Sequence, residues 1–172
     1  MRYWVSSDAH FGHHNIIKYT SRPFHSVEHM DREMIRRWNG RVKPGDTVYY
    51  LGDFCFRYTA IDDGGVEVLL RGSEYYVSQL NGNIVFLKGN HDRRTDSGIM
   101  TSATINYGGV DWHISHEPEH RYKYNMCGHV HTEWKFKAIG GCIIVNVGVD
   151  QWGYAPVSMD EVIEGLPEPF RI

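Results

Sequence analysis

At 172 residues, with 41% hydrophobic and 23% charged side chains, the chain has the composition of a globular protein with material for one core. A net charge of −3, with Lys and Arg scattered in pairs such as Arg36-Arg37, excludes a basic tract for long nucleic acid. No apolar run reaches membrane-span length, the opening residues lack a signal pattern, and three cysteines without zinc-finger spacing point to a reducing cytoplasm.

Residues 2–6, with Tyr3, Trp4 and Val5, read as a short strand. Val27, Met30, Met34, Ile35 and Trp38 recur at helical spacing, which predicts an amphipathic helix over about 26–40. Asn39-Gly40 closes it, and Lys43-Pro44-Gly45-Asp46 is a turn. Thr47-Val48-Tyr49-Tyr50-Leu51 predicts a buried strand. Residues 66–80 predict a second helix, weakened by Gly72 and stopped by Asn81-Gly82, and 84–87 a third strand. Beyond it, 110–115, 122–127, 133–137 and 142–147 are all strand-like, with Trp134 and Phe136 alternating with Lys135 and Lys137. A βαβαβ half followed by a strand-rich half, with no linker or repeat, predicts one mixed α/β domain over 1–172.

Polar residues fall at the ends of these strands. Ser7-Asp8-Ala9-His10 follows the first, Gly52-Asp53 the second and Gly89-Asn90-His91-Asp92 the third. Ser115-His116-Glu117-Pro118 and Gly128-His129-Val130-His131 close two of the later ones. Sites in open α/β sheets form beyond the carboxyl ends of strands, so these groups can converge. Asp8, His10, Asp53, Asn90, His116, His129 and His131 offer oxygen and nitrogen donors and no thiolate, a set suited to Mn, Fe, Zn, Co or Ni. Seven donors exceed one shell with an open position, so two ions are expected. His113 competes with His116, and Pro118 favours His116 by placing it at the strand's end. His13 and Asn15 follow closely enough to lie near a substrate. His25, His29 and His120 are expected at the surface, and Cys55 is expected to be a small buried hydrophobe.

In order, Asp8-Ala9-His10, Gly52-Asp53, Gly89-Asn90-His91-Asp92, His116 and Gly128-His129-Val130-His131 resemble the motifs of the calcineurin-like metallophosphoesterases. The stretch from Ser7 to Ile17 also resembles a small bacterial and phage subgroup of that superfamily, and the resemblance spans residues 1–150. It implies an α/β fold of two mixed β-sheets packed as a sandwich and flanked by helices, in four αββα layers. One divalent ion would be held by Asp8, His10, Asp53 and His131, and a second by Asp53, Asn90, His116 and His129. Asp53 would bridge the two, with Mn foremost and Ni, Fe, Zn or Co as alternatives. Two such cations roughly 3.5–4 Å apart share a hydroxide, lower its pKa and clamp phosphoryl oxygens during in-line displacement. His91 would lie outside both shells as proton donor or charge stabiliser, so the resemblance makes His91, Asp53 and Asn90 the catalytic residues.

The sequence also departs from the family. Arg57 stands where the protein-phosphatase branch has a phosphate-binding arginine, but Phe56 stands where that branch has an aspartate orienting the catalytic histidine. Asp92 is then the carboxylate available for that role. The extra domains of the Ser/Thr phosphatases and of the double-strand-break repair nucleases are missing. The expected activity is hydrolysis of small, nucleotide-derived phosphodiesters, with Phe11, Phe54 and Trp152 as surfaces for a base. Phosphomonoester hydrolysis ranks second, ahead of a nuclease or a non-catalytic scaffold such as the retromer subunit that resembles this fold. A small phosphate ester is the expected partner, without a membrane or a long nucleic acid, and the sequence carries no signal of oligomeric state.

Overall fold

The apolar runs become short buried strands. The computed structural model describes residues 1–56, 58–61, 67–92 and 99–168. The chain runs through β1 (Tyr3–Ser6), α1 (Ile16–Tyr19), α2 (Val27–Arg41), β2 (Thr47–Leu51), β3 (Tyr58–Ile61), β4 (Glu67–Arg71), α3 (Ser73–Val77) and β5 (Asn83–Leu87). It continues through β6 (Ser102–Tyr107), β7 (Val110–Ser115), β8 (Tyr124–Cys127), β9 (Phe136–Ile139) and β10 (Cys142–Asn146). A 3₁₀ turn (Val149–Gln151), β11 (Val157–Ser158) and α4 (Met159–Glu164) complete it.

Two mixed sheets form, as the resemblance implies. The first has the order β11-β1-β2-β5, with β1, β2 and β5 mutually parallel and β11 antiparallel to β1. The second has the order β6-β7-β8-β10-β9, in which β7, β8 and β10 are parallel and the edge strands antiparallel. Val5, Leu51 and Leu87 of the first sheet meet Trp112, Ile114, Met126 and Val145 of the second in one shared core. The sheets therefore pack as a sandwich, and α4 adds Met159 and Val162 to the same core. On its other face the first sheet presents Trp4, Val48 and Tyr50 to Met30, Met34 and Trp38 of α2. Burial on both faces explains why β2 reads as a continuous apolar run rather than an alternating one.

Helix α2 starts where Ser26 accepts a hydrogen bond from the His29 amide at 3.1 Å, an N-cap that satisfies one free donor. Its one buried carboxylate, Asp31, accepts from the Gly12 amide at 3.0 Å and from the Tyr76 hydroxyl at 2.9 Å. The helix thereby fixes the loop that follows His10. Ser158 and Glu161 form a capping box at the start of α4.

The helix expected over 66–80 is not formed. Its first part is β4, paired with β3, and only Ser73–Val77 is helical. Gly72, in an extended conformation at φ −140°, separates the two. The strand expected over 133–137 begins only at Phe136, because residues before it turn: the Glu133 amide donates to the Val130 carbonyl at 2.9 Å. Strands β6 and β11 and helix α4 were not among the expected elements.

Candidate metal centre

Parallel strands end on the same rim, and backbone hydrogen bonds tie their ends together. The Asp8 amide donates to Gly52 O at 3.2 Å, the His10 amide to Asp53 O at 3.1 Å, and the Gly128 amide to His116 O at 2.9 Å. Five ligand candidates sit in left-handed backbone: Asp8 (φ 58°), His10 (50°), Asp53 (55°), His129 (67°) and His131 (43°). Among the described residues only two other non-glycine positions, Ser21 and Tyr154, do so. Such a conformation costs about 1–3 kcal/mol per residue and persists where the surroundings enforce it, most often at functional sites. Turn residues without a role have no reason to collect this strain at one rim. Two glycines make the crowding possible. A Cβ at Gly89 would stand 2.3 Å from Asp53 Oδ1, and one at Gly128 would stand 2.3 Å from Asp8 Oδ2.

Two clusters of possible ligand atoms result, Asp8 with His10 and His131, and Asp8 with Asp53 and His116, each within 4.8 Å. Asp8 is common to both, whereas the resemblance gave the shared position to Asp53. Asp53 Oδ2 nonetheless lies between the clusters, 3.6 Å from His10 Nε2 and 3.4 Å from His116 Nε2. Asn90 joins them: its Oδ1 is 2.7 Å from His116 Nε2 and 3.1 Å from His129 Nδ1. His113, the rejected alternative, is on the other face of its strand, stacked on Tyr122 at 3.6 Å between centroids.

The charges are arranged for a cation. Asp8 is fully buried, and burial raises its carboxyl above the usual carboxylate range despite His116 and His131. Burial drives His10 down to about 3, so it is neutral, and both its ring nitrogens are buried without a hydrogen-bond partner. A neutral imidazole with a free lone pair beside buried carboxylates is a metal-ligand environment. Burial would also lower His116, but Asp53 and Asp8 overcome it and push the ring up to about 9. His116 Nδ1 faces the Leu51 carbonyl at 2.7 Å, and Nε2 faces the centre beside the Asn90 oxygen. A metal would replace the Nε2 proton. The residues present therefore fit divalent cations.

Two further residues belong to the centre. Asp150 accepts from His131 Nδ1 at 2.9 Å, and Arg22 holds Asp150 through two bonds at 2.9 and 3.0 Å. Burial opposes a charged Asp150, and His131 and Arg22 together still hold it below the usual carboxylate range. Neither residue lies in a motif, so no spacing signal could have singled them out.

His91 is at the edge of the centre. Its side chain is 53% exposed, and its Nε2 is 4.0 Å from Asp53 Oδ2. Asp92 does not orient that ring. Its Oδ2 accepts from the Asp53 amide at 3.1 Å and the Gly89 amide at 2.7 Å, so it braces the turns that carry Asp53 and Asn90. His13 stacks on Phe56 at 3.9 Å between centroids, and the Phe56 centroid is 5.9 Å from that of His91. Asn15 is exposed just before α1, where its carbonyl accepts the amides of Lys18 and Tyr19. Arg57 lies outside the described residues. Phe11 and Phe54 are core residues at 1% and 4% exposure, and a face of Trp152 is covered by Lys135 Nζ, 3.5 Å from the ring centroid. None of the three offers a free surface for a base; Phe56 is the aromatic at the site. A cavity of about 530 Å³, lined by Phe54, Phe56, Phe86, Leu87 and Ile99, opens beside His91.

Two mixed sheets thus deliver Asp, Asn and His side chains from successive strand ends to one rim. The chain belongs to one family with the uncharacterized protein MJ1445 of Methanocaldococcus jannaschii, 33% identical over 175 residues that cover 94% of this chain and 89% of that one. No protein-family model matches the chain. Its fold is similar to that of AQ665, a protein of unknown function from Aquifex aeolicus, with TM-score 0.67 and 21% identity over 96% of this chain and 99% of the other. An archaeal phosphodiesterase overlaps more loosely, with TM-score 0.46 and 18% identity over 86% of this chain and 84% of that one, too loosely to bear on chemistry.

Proposed function

We propose that the protein is a metal-dependent phosphodiesterase that hydrolyses small, nucleotide-derived esters with two divalent ions, Mn²⁺ foremost, at the Asp8/Asp53 centre. The observation that carries this reading is the pair of ligand clusters sharing Asp8, with the half-exposed His91 ring beside them. When bound, two such ions would lower the pKa of water and neutralise the phosphoryl oxygens. Asp8, His10, Asp53 and His131 would hold one of them, and Asp53, Asn90, His116 and His129 the other. The neutral Asn90 amide adds a donor without adding negative charge, which keeps the site attractive to an anion. His91 projects toward solvent, so its ring would meet the leaving oxygen and protonate it. His13, stacked on Phe56, would border the phosphate, with Asn15 further out.

Space supports a diester. The cavity beside His91 has room for a substituent on the leaving oxygen, and Asn90 and His129 are exposed on the other side. A phosphate with groups on both sides therefore fits the rim. The test is kcat/KM for bis-p-nitrophenyl phosphate against p-nitrophenyl phosphate, after chelation and after restoring Mn²⁺. Diester preference with full dependence on metal is expected. Preference for the monoester would make the protein a phosphatase, and failure to hydrolyse either would leave a metal-binding scaffold.

A further inference from the structure

We propose that the buried Arg22–Asp150 ion pair is a positioning device for one metal site, that of Asp8, His10 and His131, and reaches the other only through the shared Asp8. The inference rests on the reading of the centre as a holder of two cations. Both side chains are fully buried, and Arg22 spends its donors on two tasks. Nε and Nη2 hold the Asp150 carboxylate at 2.9 and 3.0 Å. Nη1 and Nη2 donate to the carbonyls of Ala9 and Asp8, both at 2.7 Å, which clamps the strained turn carrying Asp8 and His10. Asp150 Oδ2 in turn accepts a hydrogen bond from His131 Nδ1 at 2.9 Å, leaving the Nε2 lone pair for the cluster with Asp8 and His10. One ion pair thus sets the backbone of two ligands and the ring of the third.

The second site is arranged by other means. His116 takes its orientation from the Leu51 carbonyl, and His129 and Asn90 from each other. No hydrogen bond of Arg22 or Asp150 reaches Asp53, Asn90, His116 or His129 among the described residues. Stability is a poor reason for the pair, since well-packed apolar residues usually replace a buried ion pair without loss. A lysine at position 22 would keep the charge but could not make four bonds from a planar fork.

The experiment is calorimetric titration of the metal-free protein with Mn²⁺ in two single-site backgrounds. His129→Ala should leave the site of Asp8, His10 and His131, and His10→Ala should leave the other. Adding Asp150→Asn should weaken Mn²⁺ binding about 10–100-fold in the His129→Ala background, the usual worth of a carboxylate behind a ligating histidine. In the His10→Ala background, where only Asp8 connects the pair to the remaining site, the weakening should be clearly smaller. Arg22→Lys, which keeps the charge and tests the fork, should repeat the pattern. Equal weakening in both backgrounds, including weakening through loss of fold, would make the pair a general scaffold and overturn the proposal. Unchanged affinity in the His129→Ala background would overturn it too. A wild-type protein that binds no Mn²⁺ would instead refute the metal centre itself.

Discussion

Metal uptake near neutral pH should release a proton from His116. Its Nδ1 faces the Leu51 carbonyl at 2.7 Å, which leaves Nε2 facing the centre, 2.7 Å from Asn90 Oδ1. Burial disfavours a charged ring, yet Asp53 and Asp8 raise the ring from 6.5 to about 9. The sign follows. Because the folded value is raised, this group's contribution to the metal-free fold is fully present below 6.5 and is lost as pH rises through about 9. A cation must displace the Nε2 proton, so its binding opposes that contribution. At about pH 7, two units below the folded value, the displacement costs ~2.7 kcal/mol, or roughly 100-fold in apparent affinity. Affinity should therefore rise about tenfold per pH unit up to pH ~9. Calorimetric Mn²⁺ titrations in two buffers of different ionisation enthalpy count the protons directly. His131, raised by Asp150 against the effect of burial, should add to the count. A binding enthalpy independent of buffer, with affinity flat across neutral pH, would refute the reasoning.

Asp53→Asn removes the carboxylate between His10 and His116, so metal content after gel filtration and diester turnover should both collapse; a variant with full turnover would exclude Asp53 from the centre. His91→Ala should retain both ions while kcat falls by about 10²–10⁴, and by less on esters with good leaving groups that need no proton. Loss of metal in that variant would mean His91 is a ligand. Gly128→Ala would place a Cβ 2.0 Å from Ser7 Oγ, a clash with buried groups at the strand ends. Overpacking of this kind costs about 1–3 kcal/mol, at about 2–4 °C of Tm per kcal/mol, and it should also disturb Asp8 and weaken metal binding. An unchanged Tm and metal content would show that the turn yields.

The residues of the centre were legible because each follows a strand whose apolar run is unmistakable, so Asp53 and Asn90 could be placed at one rim without knowing the sheet order. The alternation in Ser102–Tyr107, with Ala103, Ile105 and Tyr107 half-buried, is equally present in the sequence. The failure at 66–80 was one of period. Val68, Leu69 and Leu70 lie side by side, and a short apolar run fits a strand as well as a helix. Turn-forming Asp62-Asp63-Gly64-Gly65 just before it was the signal for a hairpin. Arg22 and Asp150 were illegible for a different reason: 128 positions separate them, and only the folded chain makes them neighbours.

Strand β1 lies between β2 and β11, so residues 3–6 gain their second neighbour only once 157–158 are in place. The His129 amide that holds the Asp8 carboxylate comes from 121 positions further along. During synthesis on a ribosome, Asp8 and His10 emerge before the other donors and by themselves offer only two ligands. A site that joins Asp8 to His131 must wait for the slow, long-range pairing of its strands. Metal choice at such a site would be decided by the finished pocket and by the ions around it.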